Sequence, residues 1–456
     1  MSFPPDHHSA GLSRRHLLRT LGLSGAALLG GPTLLSACAT SVDDGAPQGG
    51  TSSGDPNATL AIHHDAGVGP LLQPYVDDFN ARYKPLSLNT AYVTTDYPGT
   101  TNTQLAGGAV DYDVLFTDGN AQLWYTNNWI SALDDFPGAK ELTQTWLPGV
   151  LEECLGKDGE LIALPYYRGI EIFVYNADLL GRINAAPPTT WDEMVEQCRE
   201  LKAKRIAATP YSPFWTAEVS MFFYELVAES FSDGAGPFFA DDFQPLFQDD
   251  PVVAATLERW ARMYAEGLVP RDIFTTSYGD IVNIYAGGKS AFTVRYGPQA
   301  KGFRDPRQSQ VADVSRNALM PGRTRETVAS GAFWCMTASR PYKPQAWTLL
   351  EYLAAKDKDG KYHTPLNLIS LDLGLLTPYE AVNSDPSVRE SWSQWADVDL
   401  MAQQLTKSRS LGRVRQQAWF GEFLVQATAA LQDVVRARRS ARDGLTAAAD
   451  FVKSKL

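Results

Sequence analysis

A cysteine near the N-terminus stands in a sequence that predicts covalent lipid attachment. Cys38 ends the run Leu-Ser-Ala-Cys, which resembles the lipobox after which signal peptidase cuts. Arg14 and Arg15 precede an apolar stretch that is too short to span a membrane and is typical of an export signal. Paired arginines are typical of the route that exports folded proteins. We predict that residues 1–37 are a Tat-type lipoprotein signal peptide and that lipidated Cys38 holds the chain at the outer face of the membrane. In the alternative, the leader is a simple secretory signal and Cys38 is incidental.

No motif in the sequence predicts a catalytic centre. The chain has no HExxH zinc motif, no glycine-rich phosphate loop and no serine nucleophile elbow between a predicted strand and helix. A glycoside hydrolase would need two carboxylates across a cleft, and no pair is marked among the 52 Asp and Glu residues. We therefore predict a protein that is not an enzyme, with a carbohydrate-active enzyme as the alternative.

The remaining cysteines and the charge exclude other classes of function. Cys154, Cys198 and Cys335 are odd in number and show no CxxC spacing, so we predict neither a metal site nor a cofactor. A Cys154–Cys198 disulfide and free buried thiols are both possible alternatives, because an exported protein meets oxidising conditions that permit a disulfide. The formal net charge of −12 argues against nucleic acid, whose phosphates require a basic surface.

The elements that must position a binding site alternate between strand and helix. Residues 59–62, 88–93 and 113–117 are predicted strands, and residues 71–83 have apolar side chains at helical spacing. This alternation predicts an α/β fold with a parallel sheet and ligands at the carboxyl ends of its strands. Thr189 is the predicted cap of a helix that starts near Trp191. Further helices are predicted at residues 256–268, 344–355 and 429–456. Residues 38–58 are polar and predict a flexible tether.

The middle of the chain resembles a known family. Three segments follow one another here: a Gly-to-Pro strand signal at residues 159–167, the sequence Tyr-Asn-Ala-Asp-Leu-Leu at 175–180, and Pro-Pro-Thr-Thr-Trp-Asp-Glu at 187–193. In this order they resemble the maltose-binding-like extracellular solute-binding proteins of sugar ABC importers. Further similar segments are residues 108–118, 128–135, 287–292 and 331–353.

The resemblance implies a two-lobed periplasmic-binding-protein-like fold of type II, with a cleft between the lobes and a hinge of strands. It implies a first lobe of residues 59–168 and 331–375 and a second of residues 169–330 and 376–456. The expected ligand is a mono- or oligosaccharide, and the expected partner is the permease of an ABC importer. The protein is expected to be a monomer.

Ligand contacts are expected where the family places them, just beyond strand ends and at the crossing between lobes. Sugar rings pack on aromatic faces, and their hydroxyls need fixed donors and acceptors. Tyr211 and Trp215 follow a predicted strand at residues 206–209, and Tyr296 precedes Gln299, which stands where relatives carry Trp. The predicted ligand-binding residues are His64, Asp65, Asp118, Asn120, Tyr167, Arg168, Glu171, Tyr211, Trp215, Tyr296, Trp334 and Arg413.

Proteins of the same fold bind two other classes of ligand, and both remain alternatives to a sugar for this chain. Ferric-ion binders use paired tyrosines, which Tyr166 and Tyr167 match in type, although the family's pairs lie later in the chain. Polyamine binders use acidic clefts, to which Asp65, Asp118 and Glu171 would contribute.

Overall fold

The computed structural model describes residues 55–65, 69–93, 97–108, 110–216 and 221–456. The predicted signal peptide, Cys38 and the tether up to residue 54 lie outside the described residues. In the described part of the chain, no helix combines the length and apolar character that crossing a membrane requires.

A six-stranded mixed sheet organises the first lobe. Its order is β2-β1-β3-β8-β4, with β9 paired to β8. These strands are β1 (Thr59–Asp65), β2 (Ser87–Val93), β3 (Val114–Thr117), β4 (Leu164–Ile170), β8 (Thr327–Met336) and β9 (Ser408–Ser410). Strands β2 and β3 are parallel to β1, but β8 is antiparallel to β3 and β4. The predicted parallel sheet is therefore found for β2, β1 and β3, and the whole sheet is mixed because the chain leaves it along β4 and returns along β8 in the opposite direction.

A smaller antiparallel sheet organises the second lobe. Its order is β6-β5-β7, and the strands are β5 (Ile172–Asn176), β6 (Phe292–Arg295) and β7 (Ser315–Ala318). Only Glu171 separates β4 in the larger sheet from β5 in the smaller one. The return path runs from β7 into β8, whose ten residues are all buried. Two crossings by extended chain therefore connect the sheets.

Helices cover both sheets. In the described residues, the first lobe and its crossing carry α1 (Gly69–Arg82), α2 (Tyr97–Gly107), α3 (Ala121–Thr126), α4 (Ala139–Thr143), α5 (Val150–Cys154) and, after the second lobe, α12 (Lys343–Ala354). The intervening helices are α6 (Ala177–Gly181), α7 (Trp191–Ala203), α8 (Met221–Ser232), α9 (Pro251–Ala265), α10 (Tyr278–Ala286) and α11 (Gly297–Phe303). The later helices are α13 (Glu380–Asn383), α14 (Pro386–Ser393), α15 (Val398–Thr406), α16 (Phe420–Val435) and α17 (Ala441–Lys453). A π-helical segment spans Pro365–Asp372 and a 3-10 segment spans Gly412–Gln416.

Local sequence signals account for most of these boundaries. Thr190, one residue after the predicted cap, accepts a hydrogen bond from the Glu193 backbone N–H at the start of α7. Thr189 instead contacts the Glu193 carboxylate through its own N–H and hydroxyl. The helical tail predicted at residues 429–456 consists of the end of α16 and the separate helix α17, because Ala437 adopts a positive φ and Ser440 caps a new helix.

Each lobe has its own apolar core. Buried side chains from β1, β3, β4, β8 and α12 form the first core, and those of α7, α8, α9, α16 and α17 form the second. The first core also includes Tyr379 and Val382, just beyond the predicted lobe boundary at residue 375. Cys154 and Cys335 lie in the first core, Cys198 lies in the second, and all three are free thiols. No Cys154–Cys198 disulfide forms, because the two side chains belong to different cores.

Candidate functional site

A cavity of about 560 Å³ lies between elements of the two lobes. Asp118, Asn120 and Tyr167 line it from the first lobe, and Tyr296 lines it from the second. Its volume is typical of sites for small organic ligands. Lining residues that the sequence did not single out as ligand contacts include Tyr224, Gln299, Ser330, Arg415, Gln417 and Phe420.

The turn after β3 presents polar groups to this cavity. The Thr117 hydroxyl accepts hydrogen bonds from the backbone N–H groups of Gly119 and Asn120, at 3.1 and 2.8 Å. These bonds turn the chain sharply at the carboxyl end of the strand, before α3 begins at Ala121. Asp118 is consequently exposed on the cavity wall.

Tyrosine rings form much of the remaining wall. Strand β4 has an irregular register between Pro165 and Tyr167, a local feature that re-aims side chains, and Tyr167 is only partly buried. Tyr296 lies at the end of β6, and its hydroxyl is 2.9 Å from the Ser330 hydroxyl. Its ring lies against Gly169, where an added Cβ would come within 2.9 Å of the ring. The glycine therefore permits the close approach of strand and ring.

The tyrosine hydroxyls are neutral at physiological pH. Burial raises the pKa of Tyr167 to about 12, with the Asp118 charge adding to the shift. Burial also raises the pKa of Tyr224 and Tyr296. Each hydroxyl thus keeps its proton and can both donate and accept a hydrogen bond. Such rings combine an apolar face with a polar edge, as a sugar requires.

A buried ion cluster stands behind the cavity. Both Arg415 and Arg168 donate to the Glu153 carboxylate, at 2.9 and 3.3 Å. Arg415 also donates to the Tyr224 hydroxyl at 3.0 Å, to the Asp118 carbonyl at 3.0 Å and to the Gly331 carbonyl at 2.9 Å. The guanidinium therefore joins the turn after β3, the crossing strand β8 and α8 of the second lobe. Two arginines on one carboxylate leave a positive charge beside the cavity.

Several predicted contacts lie in the cores instead. Trp215 is completely buried and packs 4.9 Å from Trp260, while Trp334 is completely buried 4.8 Å from Tyr166, both distances between ring centroids. Tyr211 is buried too, within hydrogen-bond distance of Glu225 and Glu229. The expectation that these three rings contact ligand is corrected, because the packed core leaves no face open. The predicted strand at residues 206–209 is also absent, and Tyr211 makes only an isolated bridge to Phe292.

The remaining predicted residues are also away from the cavity wall. His64 is buried against Phe116, and burial lowers its pKa to about 4, so the ring is neutral. Asp65 ends β1 beside residues outside the described range and does not line the cavity. Arg168 is buried in the ion cluster. Glu171 is buried at the crossing, and burial raises its pKa to about 8 against the opposing charge of Arg295. Arg413 lines a different cavity, described below.

Arg415 is the principal cavity-lining residue that the sequence did not single out. It lies two residues beyond Arg413, in a 3-10 segment whose side chains point in different directions over successive positions. No spacing distinguishes a buried arginine from an exposed one in so short an element. Gln299 stands where relatives carry Trp, and its side chain also lines the cavity.

Comparison with known proteins places the chain among binding proteins. Residues 74–390, well over half of the chain, match the sequence model described as bacterial extracellular solute-binding protein. The melibiose/raffinose/stachyose-binding protein MelE of Bacillus subtilis is 21% identical over 229 residues, 48% of this chain and 51% of that protein. The chain thus spans about half the length of this curated relative.

Solved structures share the fold. Maltose-bound MalE3 of T. maritima superposes with a TM-score of 0.73 at 17% identity, over 87% of this chain and 100% of that one. The GacH receptor of Streptomyces glaucescens, studied unliganded and with acarbose, gives a TM-score of 0.71 at 14% identity, over 86% and 96%. At these identities the likeness concerns the fold, and it confirms the predicted two-lobed α/β architecture.

Proposed function

The chain belongs to the bacterial extracellular solute-binding proteins, and from this premise we propose that it captures a carbohydrate in the 560 Å³ cavity and delivers it to an ABC permease. The observation that carries the proposal is the composition of the cavity wall. Tyr167, Tyr224 and Tyr296 supply aromatic faces, and Asn120 and Gln299 supply amide donors and acceptors. This combination suits a ring with apolar faces and hydroxyl edges.

Capture would be coupled to closure of the cleft. Because both lobes contribute to the wall, a bound sugar contacts both at once only when they approach each other. The ligand would then favour the closed form by its differential affinity for the two forms. The single strand crossing at Glu171 and the path from β7 to β8 would serve as the hinge. The closed form would be the one that docks on the permease.

A thermal-shift screen is the first test of this proposal. Melibiose and raffinose, which appear in the name of the Bacillus subtilis relative, join maltose and maltotriose as sugar probes. At least one is expected to raise the melting temperature of the protein by several degrees at millimolar concentration, because it binds only the folded state. Spermidine and Fe³⁺ represent the polyamine and iron alternatives. A shift with either of these and with no sugar would contradict the proposal, and prolonged incubation should leave the bound sugar unchanged.

We also propose that Cys38 carries a lipid that anchors the protein outside the membrane, after Tat-dependent export. The support is the Leu-Ser-Ala-Cys sequence and the paired arginines in residues 1–37. In the native host, Cys38→Ser should move the protein from the detergent phase to the aqueous phase on phase partitioning. Cys335→Ser is a matched control, since that thiol is buried in the first core. A Cys38→Ser variant that stays in the detergent phase would contradict the anchor.

A further inference from the structure

A second cavity, of about 460 Å³, lies next to the first. Gln417 and Ala418 line both cavities, so the two are neighbouring parts of one cleft. Like the first cavity, this one has walls from both lobes. Gln122 and Thr126 of α3 belong to the first lobe, and Trp419 packs against the core of the second. We call this region the outer groove.

The outer groove has an excess of positive charge. Lys157, Arg413 and Lys455 line it, and Asp241 is the single acidic side chain among its lining residues. Lys455 is neutralised locally, because its ammonium lies 2.9 Å from the Glu422 carboxylate. Among the described residues, neither Lys157 nor Arg413 has an ion-pair partner. With the Lys455–Glu422 pair set aside and Asp241 counted, the lining side chains still carry one net positive charge, in a chain whose net charge is −12.

The two free cations come from different lobes. Lys157 follows α5, whose Cys154 lies in the first core, and Arg413 precedes Val414, which lies in the second. An anionic group held between these two cations would contact both lobes and would favour their approach. The neutral sugar proposed for the first cavity would favour closure in the same way. The arginine fork is suited to carboxylate, sulfate and phosphate groups alike.

An aromatic side chain accompanies the cations. Trp419 is partly buried on the groove wall, held by contacts with Phe420 and Phe423 at 6.4 Å between ring centroids. Phe243 lines the same groove. An indole and a guanidinium that line one groove match a sugar ring that bears an anionic substituent, because the ring can pack on the indole while the charge meets the cation.

We propose that the outer groove binds an acidic sugar residue, so that the cleft selects saccharides with a negatively charged unit beyond the neutral rings in the first cavity. This inference rests on the proposed function, because it assigns the charge of one part of the same carbohydrate ligand. Lys157 and Arg413 would pair with the anionic group, and Trp419 would pack on its ring.

Calorimetric titration with matched neutral and acidic probes tests the inference. The neutral probes are maltotriose and raffinose, and the acidic probes are trigalacturonate and maltotriose oxidised at C6 of its non-reducing glucose, so that each acidic unit keeps its ring. At about 20 mM salt, at least one acidic probe should bind more tightly than both neutral ones, by roughly 3- to 10-fold for two partly solvated ion pairs. Raising the salt to about 200 mM should reduce this preference, because exposed charges are screened.

Charge-removing variants assign the preference to the groove. The double variant Lys157→Gln/Arg413→Gln should lose the acidic preference and change neutral affinities less than twofold. Arg439→Gln is the matched control, because this exposed arginine lines neither cavity. Neutral binding without an acidic preference, or a preference that survives in the double variant, would overturn this inference and leave the proposed function intact. Failure of every saccharide to bind would overturn both.

Discussion

Replacing Arg415 with alanine is expected to lower the free energy of unfolding of the ligand-free protein by about 3–5 kcal/mol. The side chain is buried and makes four hydrogen bonds, to Glu153, Tyr224 and the carbonyls of Asp118 and Gly331. Its loss leaves the buried Glu153 carboxylate with Arg168 alone, at 3.3 Å, and leaves buried polar groups without a donor. Removing one member of a buried ion cluster therefore costs more than its pairing contributes.

Urea denaturation of the ligand-free variants measures this loss. Arg439→Ala is the control on an exposed arginine, and it should stay within about 0.5 kcal/mol of the wild-type protein. A cycle of Arg415→Ala, Glu153→Ala and the double variant should show a coupling energy of at least about 1 kcal/mol, because the two residues share one cluster. An Arg415→Ala variant as stable as Arg439→Ala would mean that this ion cluster does not stabilise the folded protein.

Replacing Tyr296 with alanine is expected to weaken sugar binding by roughly 5- to 150-fold, about 1–3 kcal/mol of binding free energy. Its ring lines the cavity from the second lobe and is positioned by Gly169 and by the Ser330 hydroxyl. When a sugar packs on this ring, the apolar face of the sugar and the face of the Tyr296 ring are both removed from water. Tyr296→Phe keeps the ring and loses only the hydroxyl contact, so its affinity should fall by less than about fivefold.

Trp215→Ala provides the contrasting variant for this prediction. Because Trp215 is completely buried beside Trp260, its loss should lower the stability of the ligand-free protein by about 3–5 kcal/mol. Folded Trp215→Ala protein should retain near wild-type affinity for the sugar found in the screen. Calorimetry and ligand-free melting temperatures, measured on each variant, separate the two effects. A Tyr296→Ala variant that loses stability without losing affinity would place this ring with the core rather than with the ligand.

The Tyr296 and Trp334 pair illustrates how far the candidate site follows from the sequence. Both rings lie on or beside a strand in family-like segments, and both were predicted to contact ligand. Tyr296 lines the cavity, whereas Trp334 is enclosed by Tyr166 and His64 in the first core. The difference depends on whether each ring faces the core or the cleft between the lobes. A single sequence shows that a residue is aromatic but does not show which of these two directions its ring takes. Asp118 and Asn120 line the cavity because the hydrogen-bonded turn directly after β3 places both residues at the end of this strand, and their contact with ligand stays a prediction.

The sequence by itself determined the features that arise from local patterns and from their order along the chain. Helix caps, apolar periodicity and the succession of family motifs predicted the main strands and helices, the family and the two-lobed fold. Only the tertiary structure decided the mixed direction of the first sheet, the enclosure of Trp215 and Trp334, and the position of Arg415 among four acceptors from distant segments. These features depend on contacts between residues up to 297 positions apart, such as Arg415 and Asp118. Local propensity does not encode such contacts, because burial and pairing are set by the packing of whole elements against each other.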